Sequence, residues 1–214
     1  MNDLQAAAES SKDIFLLLAV PGYNMLLAYW RGDYLAAEKF SHIVSKTNRT
    51  SKTPTFLLVY FTLFRGLIAC QLYRKIGGNH RLAEGKEMMD EMETWALNSK
   101  AVFENKWLLL KAEYSASIQQ YVAAQNLYKT SIQVAQDHGN IHELGLAYEL
   151  LGNYYSAYGS REDSNDCLKK AHVYYTQWGA TAVAEKLVRD HDLNMTSMVE
   201  ELGIGNSKHS RQGE

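Results

Sequence analysis

Few residues in this chain stand at spacings that could do chemistry. Cys70 and Cys167 are the only cysteines, lie roughly a hundred residues apart and sit in no C-x-x-C or Cys/His pattern. Zinc, dithiol exchange and a disulfide framework therefore lack a ligand set, and both residues read as buried thiols. His142-Glu143-Leu144-Gly145-Leu146 opens as H-E-x-x-H, but Leu146 stands where the second imidazole must project one helical turn on, so zinc-assisted hydrolysis fails. His138 and His142 have the i,i+4 spacing of a metal pair, yet Gly139-Asn140 interrupts the helix that would align them. Asp190-His191-Asp192 could orient an imidazole, but with no nucleophile at hand it reads as a solvated helix end. Gly77-Gly78-Asn79-His80 opens a helix without the Lys-Ser/Thr that a phosphate loop requires. With no G-x-S-x-G either, these residues predict a non-catalytic chain with no cofactor and no metal.

Composition points the same way. Of 214 residues 46% are apolar and 21% charged, with 2 Pro and 2 Cys, which suits one or two globular domains and excludes a disordered or disulfide-stapled chain. Twenty-two basic against 24 acidic side chains give a formal net charge of −2, which removes the electrostatic basis for nucleic acid as a partner. The opening Met1-Asn2-Asp3-Leu4-Gln5 has no basic region before its first apolar run, so a cytoplasmic setting is expected. Two apolar runs resemble membrane spans. Ile14 to Trp30 contains Pro21-Gly22, and Phe56 to Tyr73 carries Arg65 at its centre, where a charge costs about 2.5–3.5 kcal/mol on insertion. Both are expected to be inner helices covered by neighbours, with no membrane span.

The elements that must position any site are helices throughout. Apolar and small residues recur at helical spacing and no Val/Ile/Thr alternation suggests strands. The pattern predicts helices over about 12–30, 33–47, 55–76, 79–98, 101–118, 121–138, 141–158, 161–177 and 180–191. Asp33, Asn79, Asn140 and Ser160 supply polar residues near helix starts, and Gly32, Gly78, Gly139, Gly159 and Gly179 stand where left-handed caps are wanted. The helix of Glu84 to Glu93 carries an acidic face beside Met88, Met89 and Met92 and reads as an outer helix. Residues 203–214 are polar without apolar period and read as a mobile tail.

These helices pair in a repeating pattern. Tyr148-Glu149-Leu150-Leu151-Gly152-Asn153-Tyr154-Tyr155, followed by Gly159, Leu168 and Ala171, resembles the tetratricopeptide signature W-x2-L-G-x2-Y, with Tyr in place of Trp. Leu108, Ala112, Tyr121, Ala124 and Tyr128 fall at matching places about 40 residues earlier, and Gly32-Asp33-Tyr34-Leu35-Ala36-Ala37 and His80-Arg81-Leu82-Ala83 are fainter copies. Small residues such as Gly152, Ala124 and Ala171 would let helix backbones approach while Tyr155, Tyr128 and Leu168 fill the space beside them. Separately, Ala171-His172-Val173-Tyr174-Tyr175-Thr176-Gln177-Trp178-Gly179-Ala180, continuing through Ala182, Ala184 and Leu187, resembles the closing repeat of large multidomain signalling proteins. In that group a protein-kinase-like domain and a signal-transduction ATPase precede a helical repeat region, followed by sensor, histidine-kinase or nucleotide-cyclase domains. That likeness covers about residues 100–191 and none of the catalytic parts.

The resemblance implies an all-α fold: a right-handed α-solenoid of about four tetratricopeptide-like antiparallel hairpins over residues 1–191, then a short C-terminal helix and tail over 192–214. It implies a protein-interaction scaffold in signal transduction whose partner is a protein or peptide, including other domains of a larger signalling protein. Mapped onto the two better repeats, the first helix of each pair places Lys106, Leu109, Glu113, Glu149, Asn153 and Ser156 on the concave partner-binding surface. Lys106 and Asn153 match types that the family's carboxylate clamps use, whereas Glu149 stands where a Lys is expected, against a C-terminal carboxylate ligand. The competing reading is a small-molecule sensor in which Tyr29, Trp30, Tyr60 and Phe64 hold an apolar ligand between helices.

Overall fold

The computed structural model describes residues 14–50 and 56–195. The described residues are all-α with no strand: α1 Ile14–Arg31, α2 Tyr34–Thr50, α3 Phe56–Ile76, α4 Asn79–Asn98, α5 Lys100–Ser117, α6 Tyr121–Asp137, α7 Ile141–Tyr158, α8 Arg161–Trp178 and α9 Thr181–His191. The expected tail at 203–214 lies outside the described residues. The chain divides into two compact units, Met1–Asn140 and Ile141–Glu214.

In the first unit, α1 packs on α2, α3 on α4 and α5 on α6, and the pairs adjoin through α2 with α3 and α4 with α5. The first helices of successive pairs also touch, α1 with α3 and α3 with α5. Helix α3 is therefore covered by α1, α2, α4 and α5, which explains why it is apolar on nearly every side and why all its residues from Phe61 to Cys70 are buried. Among the described residues no helix is long and apolar enough to cross a membrane. The charge of Arg65 is met inside the unit: its guanidinium donates to Glu84 at 3.0 and 3.2 Å, and Ser41 Oγ donates to the same carboxylate oxygen at 3.1 Å. Arg81 on α4 holds Glu38 on α2 through two bonds of 2.6 and 3.0 Å. That guanidinium keeps the Glu38 carboxyl below the usual carboxylate range. Met88, Met89 and Met92 are buried, so the methionine face of α4 belongs to the core.

In the second unit α7 packs on α8 and α8 on α9. Gly145 and Gly152 lie two turns apart on α7, and each receives a side chain of α8. A Cβ at Gly145 would stand 2.6 Å from the Tyr175 ring, and one at Gly152 would stand 2.7 Å from Leu168 Cγ. Ser164 Oγ donates to the Gly152 carbonyl at 2.8 Å across the same contact.

Local signals set the helix ends. Ser160 caps α8 by accepting from the Asp163 amide at 3.0 Å, and Asp33 accepts from the Ala36 amide at 3.0 Å. Gly179 takes φ 88°, and the amide after it, of Ala180, donates to Tyr175 O at 2.8 Å, closing α8 as a left-handed cap. One expectation is corrected: Gly159 is not left-handed; its missing side chain leaves room for the Tyr155 ring, which a Cβ would approach to 2.5 Å. Asn79 stands at a helix start as expected, as the first helical residue of α4, and the cap before it is Gly78, which has no side chain to accept a bond.

Candidate functional site

Three of the sequence-selected residues lie on α5. Lys106, Leu109 and Glu113 are all buried in the structure. The Lys106 ammonium donates to the Val102 carbonyl at 2.8 Å and stands 5.8 Å from the centre of the Tyr60 ring. Glu113 is the hub of a polar cluster that joins three helices. Arg74, in the last turn of α3, donates Nη2 to its carboxylate at 2.5 Å and Nη1 to its main-chain oxygen at 3.0 Å. Tyr128 on α6 donates to the other carboxylate oxygen at 2.5 Å. Ser117 accepts from Arg74 at 3.1 Å and donates to the Glu113 carbonyl at 2.8 Å. Burial, reinforced by the Glu113 charge, pushes the Tyr128 phenol well above its usual range.

Cys70 lies beside this cluster, fully buried, and burial followed by the Glu113 charge pushes its thiol up to about 12. A thiol so protonated is no nucleophile at neutral pH. It does give the fold a pH dependence. The folded pKa lies above the ordinary value of 9.0, so the thiol ionises more readily in the unfolded chain, and stability falls as pH rises from about 9 toward 12. Urea midpoints between pH 8 and 11 should therefore decline, and Cys70→Ala should flatten the decline; equal slopes in the two proteins would show that other groups cause it.

The other three selected residues lie on α7 in the second unit. The Glu149 carboxylate accepts from the Tyr175 hydroxyl at 2.6 Å. Burial raises the Glu149 carboxyl above its usual range, the Tyr175 bond lowers it in part, and Lys186 and Asp190 of α9 act on it with opposite signs. Asn153 is half-buried and Ser156 exposed. The stripe Glu149, Asn153, Ser156 thus follows one face of α7, and its first member is engaged with α8 and influenced by α9.

The remaining candidates fall into structural places. His142 lies against the Trp178 ring, centres 5.6 Å apart, and His138 Nδ1 is 2.8 Å from the Val134 carbonyl oxygen. Asp190 is held by Lys186 at 2.6 Å. Tyr29 makes edge contacts with Trp30 at 5.5 Å and Phe64 at 4.8 Å, while Trp30 meets Phe64 at 5.6 Å, so these rings occupy one another's flanks. Among the described residues no group of three or more His, Cys, Asp or Glu side chains is gathered as for a metal ion. Sequence reasoning passed over Arg74, Tyr128 and Tyr175 as polar partners; an arginine ending an otherwise apolar helix was the available signal for the first.

No family model matches the chain, and comparison with curated proteins and with solved structures finds no significant match.

Proposed function

We propose that this chain is a helical-repeat scaffold, a right-handed α-solenoid of tetratricopeptide-like hairpins that binds a protein or peptide in a cytoplasmic signalling context. The observation that carries the reading is the packing order of the first unit, where the leading helices α1, α3 and α5 touch in sequence while each also packs on its own partner helix. Chain-ordered packing of this kind is how repeat arrays bury faces that one hairpin leaves wet. The glycine contacts of α7 with α8 support it, since close-packed hairpins are the unit of such arrays. The edge-packed rings around Tyr29 weigh against an apolar ligand there, since each ring already fills the space beside its neighbour.

In this reading the leading helix of each pair presents the binding surface, with the accessible chemistry at Asn153 and Ser156. Lys106, Leu109 and Glu113 are buried within the packing of the first unit and do not themselves present chemistry to a partner, and Glu149 in the second unit is held in place by Tyr175. Rigid side chains of this kind lose little entropy when a peptide docks. Selection of peptides from a random library on the purified chain tests the proposal. Peptides that bind wild type should lose at least about tenfold in affinity, or about 1.4 kcal/mol, on an Asn153→Ala/Ser156→Ala chain with unchanged circular dichroism. Peptides that bind both proteins equally would remove the surface from α7, and loss of helicity in the variant would make those residues structural.

A further inference from the structure

Helix α1 is apolar around its circumference, as α3 is, but it is not covered in the same way. No charged residue stands between Ile14 and Trp30, and the first charge of the helix is Arg31 in its last turn. Where α3 has helices on four sides, α1 packs on α2 and α3. Its inner face is closed: Leu18, Met25, Ala28 and Tyr29 are buried, and the Tyr29 ring meets Tyr34 of α2 and Phe64 of α3. The opposite face is open. Leu16, Tyr23 and Leu27 are 40%, 51% and 49% exposed, with Val20 half-buried between them. These four residues fall at i, i+4, i+7 and i+11 and so form one stripe along the helix. The neighbouring α2 shows the ordinary solvated pattern, with Lys39, His42 and Lys46 on its exposed face. A helical array that ends in water ends on a polar face, which α1 does not have.

We infer that the outward stripe of α1 is the contact by which two copies of this chain associate, their α1 helices running antiparallel about a two-fold axis. The stripe reads the same in both directions, with spacings of four, three and four residues. An axis at the level of Pro21-Gly22 therefore sets Leu16 against Leu27 of a second copy at both ends, and Val20 against Tyr23 on either side of the centre. A small side chain then meets a large one where the helices come closest, and the alternating spacing is that of knobs packing into the grooves of a facing helix. A two-fold contact brings each residue type near its own copy, so a charged stripe would repel itself; this one carries no charge. The same absence leaves a charged partner nothing to pair with. From Leu16 to Leu27 the stripe is about 16 Å long. Two such stripes bury less than the roughly 1,200 Å² of a stable complex, so the dimer is reversible and forms with rising concentration. This contact is independent of the peptide surface placed on α7.

Sedimentation velocity on the full chain, from about 5 to about 500 μM, spans the affinities that so small an interface supports. The wild-type chain should pass from monomer toward dimer over that range. Leu16→Glu/Leu27→Glu sets four carboxylates into the seam and should weaken association at least about tenfold, whereas Ile43→Glu, on the exposed side of α2, should dimerise as wild type does. Cysteine pairing tests the orientation without charged substitutions. Leu16→Cys and Leu27→Cys proteins mixed before mild oxidation should cross-link with each other and not with themselves, because identical positions stand about 16 Å apart across the axis. The native Cys70 and Cys167 are buried and leave the readout clean. A wild-type chain that stays monomeric throughout, a dimer that the paired glutamates leave intact or that Ile43→Glu abolishes, or cross-links that form as readily within each protein alone, would overturn the proposal.

Discussion

Glu113→Ala is expected to destabilise the Met1–Asn140 unit by about 3–5 kcal/mol, the cost of leaving a buried charge without its partner. The side chain of Glu113 is 1% exposed, and its two carboxylate oxygens are divided between Arg74 on α3 and Tyr128 on α6. Truncation therefore strands a guanidinium and a phenol together. Arg74 keeps Ser117 Oγ and the main-chain oxygen of residue 113, and its side chain is 16% exposed, so water relieves part of the charge and the loss should fall toward the lower bound. The discriminating protein is the triple variant Arg74→Met/Glu113→Leu/Tyr128→Phe. It removes donors and acceptors together while preserving volume, and should recover most of what the single change loses. Urea denaturation followed by circular dichroism reads both. A single variant within about 1 kcal/mol of wild type would show that the three helices do not depend on this cluster.

How far such a cluster could be foreseen depends on the range of the interactions involved. Helix ends are local events, and Ser160 and Gly179, chosen for an N-cap and a left-handed cap, hold those places. The Gly152 and Leu168 contact was legible because a small residue beside a large one at helical spacing has few other uses. The Arg65 pair was not, since nothing near it in the chain indicates that Glu84, on the next helix, turns inward to meet it. The same limit governs Lys106, Leu109 and Glu113. Repeat register assigned them to one helix face, but whether a charged residue on that face meets solvent or a partner depends on residues distant in the chain, such as Arg74, 39 positions from Glu113. Gln119 is the converse case, a non-glycine residue at φ 64° in the turn between α5 and α6, where no composition signal marks the turn.

A close contact between α7 and α8 in the second unit yields the other large effect: Gly152→Val should destabilise it by about 3 kcal/mol, the upper range for overpacking a closed site. A Cβ at this position would stand 2.7 Å from Leu168 Cγ and 3.3 Å from the Leu168 main-chain nitrogen. The leucine tip can rotate away, but the nitrogen belongs to α8 itself, so relief requires the two helices to separate. Separation would also stretch the bond from Ser164 to the Gly152 carbonyl. Gly152→Ala is the graded case: alanine gains about 1 kcal/mol in helix propensity, which offsets part of the overlap and leaves a smaller net loss. Ala157→Val, at an exposed position of the same helix, controls for β-branching and should stay within about 0.5 kcal/mol. Combining Gly152→Val with Leu168→Ala should cost less than the sum of the two single losses, because the smaller side chain vacates part of the space the valine needs. Strict additivity, or a Gly152→Val protein no less stable than Ala157→Val, would mean that α7 and α8 do not meet at this glycine.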